Sequence, residues 1–167
     1  MGRNSPGYLS DCIGKNPELC EIFIVDSGYA ESAREMRDRV YQAVIRIDES
    51  IVKIEGTELG DLLDDAHVLA MIASLGTGIW FGSDGAYYDL GKLRYHKVIL
   101  VTDDSDGGRH IREQVTTFMQ LYNRPLVEAG YFFTVQPENW EEMFESEFEA
   151  KVMDPTTRKL IPIVATS

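Results

Sequence analysis

The chain has 167 residues, of which 44% are hydrophobic and 26% charged, values typical of one compact globular domain with its own core. Its 28 acidic and 16 basic residues leave a net charge of -12, so any DNA affinity is expected to be weak or supplied by another part of a larger assembly, because phosphates are neutralised by basic side chains. No apolar run has the length of a membrane span, and residues 1–12 lack the order of a signal peptide, so a cytoplasmic protein is expected.

The first predicted strand and helix lie between residues 21 and 44. Residues 21–25 (EIFIV) are typical of a buried strand. Ser32 and Glu35 have the spacing of a capping box, and apolar residues then recur at helical spacing as far as Val44. This pattern predicts a helix over residues 32–44.

The middle of the chain contains two further strands and one helix. Residues 51–54 (IVKI) predict a short strand, and the apolar spacing over 57–75 predicts a helix that ends at Gly76. Residues 76–92 are glycine-rich and do not link a strand to a helix in the manner of a phosphate-binding loop, which indicates a structural loop. Residues 97–101 form the clearest strand, since four consecutive apolar residues suggest burial on both faces.

Predicted helices and strands continue to alternate in the second half of the chain. Apolar spacing predicts a helix over residues 111–126, bent near Pro125, and residues 131–135 (YFFTV) predict the next strand. Asn139 and Glu142 form a second capping box, which predicts an acidic helix with Trp140 on its apolar face.

This order of strands and helices predicts an α/β fold with a mainly parallel sheet flanked by helices, because parallel neighbours are joined by crossover helices. We expect one domain over residues 1–167, with an N-terminal extension over 1–20 and a C-terminal helical segment over 138–167.

Acidic residues follow two of the predicted strands. Asp26 comes directly after the first strand, and Asp103, Asp104 and Asp106 lie in the turn after residues 97–101. Functional residues of parallel sheets gather at the carboxyl ends of strands. Carboxylates this close raise one another's pKa unless a cation is present, and crowded oxygen ligands suit Mg²⁺. The alternative is a purely structural turn in which these side chains cap the following helix.

The cysteines and histidines carry weaker signals. Cys12 and Cys20 have no zinc-ligand spacing; they are close enough in sequence to pair, but two reduced thiols near the surface are the expected state. We expect His67 at the surface or in an interface. Neither His67, His96 nor His110 has a serine or cysteine partner at a recognisable spacing, so a nucleophilic triad has no support.

A set of segments resembles one known family in the same order along the chain. These segments are PGYLSDC (6–12), CEIFIV (20–25), GTGI (76–79), DLGKLRYHKVILVTD (89–103), HIR (110–112), RPLVEAGY (124–131) and MDPTTRKL (153–160). They resemble the TOPRIM region of the B subunits of bacterial type IIA DNA topoisomerases, gyrase and topoisomerase IV. The resemblance implies a Rossmann-like TOPRIM fold.

The resemblance also implies a role for the acidic residues. In the family, TOPRIM-bound Mg²⁺ assists DNA cleavage and rejoining by a tyrosine of the partner A subunit, in an ATP-hydrolysing enzyme whose ATPase module lies elsewhere. Asp26 then stands at the position of the general acid/base glutamate. Asp103, Asp104 and Asp106 are the metal-binding aspartates if gaps are allowed. A gapless alignment keeps only the first of these three.

The chain departs from the family at the positions that carry its chemistry. The basic turn of the family falls on Asp48, Glu49 and Ser50 here, and the family's Pro-Pro-Leu-Tyr-Lys motif is replaced by residues 137–141 (PENWE). Acids in place of DNA-facing cations reverse the local field. Two hypotheses remain: a topoisomerase B-subunit domain that is inactive as an isolated chain, or a redesigned or degenerate scaffold without DNA chemistry. Either is expected to bind DNA weakly or not at all.

Overall fold

A computed structural model describes residues 8–82 and 87–135, together with the backbone of residues 161–162. The strands are β1 (Leu9–Ser10), β2 (Glu21–Asp26), β3 (Gln42–Ile47), β4 (Lys97–Val101), β5 (Phe132–Val135) and β6 (Ile161–Pro162). The α-helices are α1 (Ser27–Met36), α2 (Leu59–Leu62), α3 (Ala66–Leu75), α4 (Asp106–Tyr122) and α5 (Arg124–Glu128). Short 3-10 turns occupy Pro17–Leu19 and Leu90–Lys92.

The strands form a six-stranded sheet in the order β1-β3-β2-β4-β5-β6. The four inner strands are parallel, and β1 and β6 add antiparallel edges. The predicted α/β fold with a mainly parallel sheet is therefore confirmed. No helix within the described ranges has both the length and the apolar character needed to cross a membrane.

The sheet buries both of its faces. Along β2, Ile22 and Ile24 pack into the larger core, whereas Phe23 and Val25 pack into a smaller core. The smaller core includes alanines of α1, and the larger one includes apolar residues of α3 and α4. Burial on both faces explains why β2 and β4 read as continuous apolar runs in the sequence.

The predicted helix over residues 32–44 is wrong. Helix α1 begins earlier, at Ser27, with Asp26 as its N-cap, and ends at Met36. Residues 42–47 instead form β3, which pairs in parallel with β2 over six residues. The apolar spacing seen across this boundary is accidental, because β-branched residues such as Val44 and Ile45 gain more from burial in the sheet.

The predicted strand over residues 51–54 is also wrong. Ile51 and Ile54 are buried, but the segment has no strand partner among the described residues. Its backbone is satisfied by side chains: Val52 N donates to Asp65 Oδ2 at 3.0 Å and Ile54 N donates to Gln114 Oε1 at 2.8 Å. Buried backbone groups need a partner, and side chains fill that role here.

The remaining predicted elements that fall within the described residues are confirmed with local changes. The helical stretch before Gly76 is divided into α2 and α3, and Gly76 ends it with a φ of 83°. The predicted bend near Pro125 is a break at Asn123, after which α5 begins at Arg124 with Pro125 in its first turn. Asn123 accepts hydrogen bonds from Thr77 Oγ1 and Tyr88 Oη, which anchor the irregular glycine-rich loop.

Three predictions fall wholly or partly outside the described residues. The capping box of Asn139 and Glu142 and its helix lie there, as does nearly all of the C-terminal segment over 138–167. The first seven residues of the N-terminal extension do too. The division of the chain into these parts stays a prediction.

Candidate functional site

The carboxyl ends of the parallel strands bring acidic residues to one edge of the sheet. Asp26 ends β2, Asp48 follows β3, and Asp103 lies two residues beyond β4. Val25 is in register with Val101, so Asp26 and the start of the turn after β4 are neighbours. We call the segment of residues 102–108 the aspartate turn. This edge is the candidate functional site.

Asp26 serves as the N-cap of α1. Its Oδ1 accepts a hydrogen bond from Gly28 N at 3.0 Å. Acidic side chains are favoured at this position because they satisfy an unpaired N–H at the positive end of the helix. The predicted acid/base residue therefore has a structural role at the strand end, and its catalytic role stays a prediction.

Asp103 is held by donors from two elements. Tyr29 Oη donates to Asp103 Oδ2 at 2.9 Å, Ser105 N donates to Oδ1 at 3.0 Å, and the Ser105 hydroxyl also donates to Oδ1. The hydrogen bonds from Ser105, followed by that from Tyr29, hold the pKa of Asp103 below its usual value. The hydrogen bond to Asp103 raises the pKa of Tyr29. Sequence reasoning missed Tyr29, which precedes its partner by 74 residues.

Asp104 and Asp106 converge on a single cation, Arg109. Arg109 Nη2 lies 2.5 Å from Asp106 Oδ1, and its Nη1 lies 2.9 Å from the Asp104 carbonyl and 3.3 Å from Asp104 Oδ1. The side chains of Asp104 and Asp106 are 80% and 98% exposed. They therefore face solvent on the outside of the turn.

This arrangement does not fit a Mg²⁺ site. An octahedral ion needs carboxylate oxygens that are open toward one point, with room for its waters. Here both oxygens of Asp103 accept protein hydrogen bonds, and Asp104 and Asp106 face a guanidinium. Within residues 8–82 and 87–135, no three His, Cys, Asp or Glu side chains are grouped so that they could hold an ion. The predicted metal role of Asp103, Asp104 and Asp106 stays a prediction.

The acidic turn after β3 faces the aspartate turn. A Cβ built on Gly107 would lie 2.7 Å from Glu49 Oε2, so the Glu49 carboxylate reaches the first turn of α4. The acidic turn after β3 thus adds negative charge directly at the candidate site.

His67 is buried, with 4% of its surface exposed, so the expectation of a surface or interface position is wrong. Its Nε2 lies 3.1 Å from Asp48 Oδ1 and 3.3 Å from Ser50 Oγ, and its ring packs on Tyr8 with centroids 4.9 Å apart. A catalytic triad needs the acid and the nucleophile on opposite ring nitrogens. Here Asp48 and Ser50 both contact Nε2, so the contacts indicate a structural role for His67.

The two cysteines are free thiols, and both are buried, so their expected position near the surface is wrong. Burial, together with the neighbouring Cys20, raises the pKa of Cys12 to about 12. Only the thiolate reacts readily with alkylating agents.

We expect both cysteines of the native chain at pH ~8 to react with iodoacetamide at least about a hundredfold more slowly than in the urea-unfolded chain, because both thiols are buried and the pKa of Cys12 is raised. Mass spectrometry of alkylated peptides measures this for each cysteine. Cys12→Ser and Cys20→Ser identify the contributions separately. Rapid native labelling of Cys12 would contradict the burial described here.

Together, the fold and this edge define an α/β domain with a mainly parallel sheet and acidic turns at the carboxyl ends of its strands.

No family model matches the chain. It is 44% identical to the DNA gyrase B subunit of Thermus thermophilus over 134 residues, which are 79% of this chain and 21% of that protein. It is 39% identical to the DNA gyrase B subunit of Enterococcus faecalis over 135 residues, 80% of this chain and 20% of that protein.

A third relative is the DNA gyrase B subunit of Staphylococcus aureus, 41% identical over 133 residues, which are 79% of this chain and 20% of that protein. The chain spans about a fifth of the length of these curated relatives. It is homologous to one part of the DNA gyrase B subunit, which confirms the resemblance to the B subunits of bacterial type IIA topoisomerases.

Proposed function

We propose that this chain is a TOPRIM-type domain of a type IIA topoisomerase B subunit whose edge carboxylates stabilise the fold, and that it does not cleave DNA as an isolated chain. The homology to the gyrase B subunit and the mainly parallel sheet support the domain type. In its family context its partners are the topoisomerase A subunit and DNA, in the cytoplasm.

The observation that carries the proposal is the use of the candidate carboxylates within the protein. Asp26 caps α1, Asp103 accepts hydrogen bonds from α1 and from its own turn, and Asp104 and Asp106 pair with Arg109. Catalysis by a bound metal requires ligands that are preorganised for the ion.

The electrostatics of the edge support the same conclusion. Asp48 and Glu49 lie where the family places DNA-facing cations, and the Glu49 carboxylate approaches α4. A phosphate backbone placed here would meet like charge, which lowers DNA affinity.

A second candidate function retains the metal. Asp26 and Asp103 lie at the carboxyl ends of the adjacent parallel strands β2 and β4, which is where functional residues of parallel sheets gather. Mg²⁺ binding by Asp103, Asp104 and Asp106 would require these side chains to leave their present partners. In this candidate, Mg²⁺ would supply charge stabilisation for DNA cleavage and rejoining.

A chimera tests the proposed function. The 134 matched residues of the Thermus thermophilus gyrase B subunit are replaced by the matched part of this chain, and the chimera is combined with the gyrase A subunit, supercoiled plasmid and Mg²⁺. We expect no linear or nicked DNA to be trapped by protein denaturant, whereas the parent enzyme gives both.

Binding of a fluorescent DNA duplex to the isolated chain at low salt provides a second measurement, and we expect no more than non-specific anisotropy changes. Circular dichroism of the chimera confirms that it is folded. DNA cleavage by the folded chimera would overturn the purely structural role proposed for the edge carboxylates, in favour of the second candidate.

A further inference from the structure

Arg109 lies at the centre of the exposed side of the aspartate turn. Its guanidinium contacts the carboxylates of Asp104 and Asp106 and the Asp104 backbone carbonyl. It thus contacts three oxygen atoms of one short turn, with two different nitrogen atoms. These are the same kinds of oxygen that a hard divalent cation would use.

The position of Arg109 follows from the helix that carries it. Asp106 and Arg109 are separated by one turn of α4, so their side chains lie on the same helix face. Ser105 caps this helix by accepting a hydrogen bond from Gly108 N at 3.0 Å, which holds the start of the helix against the turn. The cation is therefore supplied by the same element that presents the acid.

Another acid of the turn is held by Tyr29. Its hydroxyl donates to Asp103 Oδ2, and Ser105 occupies Oδ1. A divalent ion bound by Asp103 would compete with these donors for the same carboxylate. Tyr29 and Arg109 thus contact different acids of the turn, Tyr29 with a hydrogen bond and Arg109 with a positive charge.

We propose that Arg109 is the built-in counter-ion of the aspartate turn and takes the place of a divalent cation, so that the turn binds Mg²⁺ measurably only when Arg109 is removed. This inference rests on the proposed function, because it explains how an acidic turn of this family is stabilised without a metal. Arg109 repels an approaching cation and occupies its oxygens. At a separation of roughly 5 Å in water, that repulsion alone lowers the affinity for a doubly charged ion on the order of tenfold.

The experiment is a titration of the full ¹⁵N-labelled chain with MgCl₂ at constant ionic strength, followed by amide shifts of residues 103–108. For the wild type we expect no saturable shift at millimolar Mg²⁺. For Arg109→Gln we expect saturable shifts whose dissociation constant is at least about tenfold lower than the wild-type limit. Asp103→Asn in the Arg109→Gln background should abolish them.

Arg112→Gln is the matched control: it removes the same charge from the same helix, and its side chain contacts the aspartate turn only at the neutral Thr102 hydroxyl and not at Asp104 or Asp106. It should behave as the wild type. Arg109→Lys keeps the charge and loses the two-nitrogen contact, so it should bind Mg²⁺ more weakly than Arg109→Gln. Thermal unfolding with and without Mg²⁺ gives an independent readout, and Mg²⁺ should raise the unfolding temperature of Arg109→Gln only.

Equal Mg²⁺ affinity of the wild type and a folded Arg109→Gln variant, including no binding by either, overturns the inference. That result leaves the chimera experiment untouched, since plasmid cleavage reports the proposed function and the affinity ratio reports Arg109. Conversely, cleavage by the chimera would reject the proposed function, and a tenfold affinity ratio would then show only that Arg109 competes with the ion.

Discussion

Replacement of Asp11 by alanine is expected to lower the free energy of unfolding by about 2–4 kcal/mol. Asp11 Oδ1 accepts hydrogen bonds from the buried Tyr95 hydroxyl at 2.5 Å and from Cys12 N at 2.8 Å, and its Oδ2 pairs with Arg94. The substitution leaves the Tyr95 hydroxyl without its acceptor in a residue that is 1% exposed. Urea unfolding followed by circular dichroism measures the loss.

Replacement of Asp11 by asparagine distinguishes the contribution of the hydrogen bond from Tyr95 from that of the negative charge. Asp11→Asn can still accept from Tyr95, so we expect a smaller loss than for alanine. Glu128→Ala is the control, because it removes an acid from the more exposed Arg124–Glu128 pair and should cost less than about 1 kcal/mol. Equal small losses for Asp11→Ala and Glu128→Ala would contradict the central role of Asp11 in this group of contacts.

The same carboxylate makes stability depend on pH. Burial raises the pKa of Asp11, but the hydrogen bonds from Tyr95 and Arg94 and the Arg94 charge outweigh this, so its pKa lies below the ordinary value. A depressed folded pKa stabilises the fold above the unfolded value of about 3.9, and this stability is lost as the pH falls through the folded pKa. Asp11→Asn should therefore lose less stability than the wild type on acidification below pH ~4.

Replacement of Gly108 by alanine is the second large effect, with an expected loss of about 1–3 kcal/mol. A Cβ at this position would lie 2.5 Å from the Asp103 backbone oxygen and would also clash with Asp103 Oδ1. The backbone cannot move without shifting the aspartate turn. The first turn of α4 therefore requires glycine for the close approach of the turn, although alanine is otherwise the better helix former.

Gly107 offers a matched control in the same helical turn. A Cβ there would meet Glu49 Oε2, the end of a flexible side chain that can move into solvent. We expect Gly107→Ala to be neutral or stabilising by up to about 1 kcal/mol, as for glycine replaced by alanine in a helix. Comparison of the two urea midpoints measures the difference. If Gly108→Ala were as stable as Gly107→Ala, the tight packing of Asp103 on α4 would be wrong.

Local sequence patterns predicted an element correctly where one local factor, such as burial, a left-handed backbone or a missing N–H, decided its structure. The buried strands β2 and β4 followed from continuous apolar runs, since burial on both faces favours apolar residues at successive positions. Strand β5, which is only partly buried, followed from its aromatic and β-branched residues. The end of α3 at Gly76 followed from the need for a left-handed residue, and the break before Pro125 from the missing N–H of proline. The ordered family segments identified the type of protein, and the relatives confirm it.

Local signals failed where distant segments compete for the same residues. Residues 42–47 have an ambiguous apolar pattern, and their pairing with β2 makes them a strand. The acidic edge depends on contacts that no spacing reveals: Tyr29 reaches Asp103 from another helix, and Glu49 reaches α4 from the turn after β3. The sequence shows which carboxylates gather at the strand ends. Their hydrogen-bond and ion-pair partners depend on how α1 and α4 pack on the sheet, because side-chain partners are set by distance in space and not by distance along the chain.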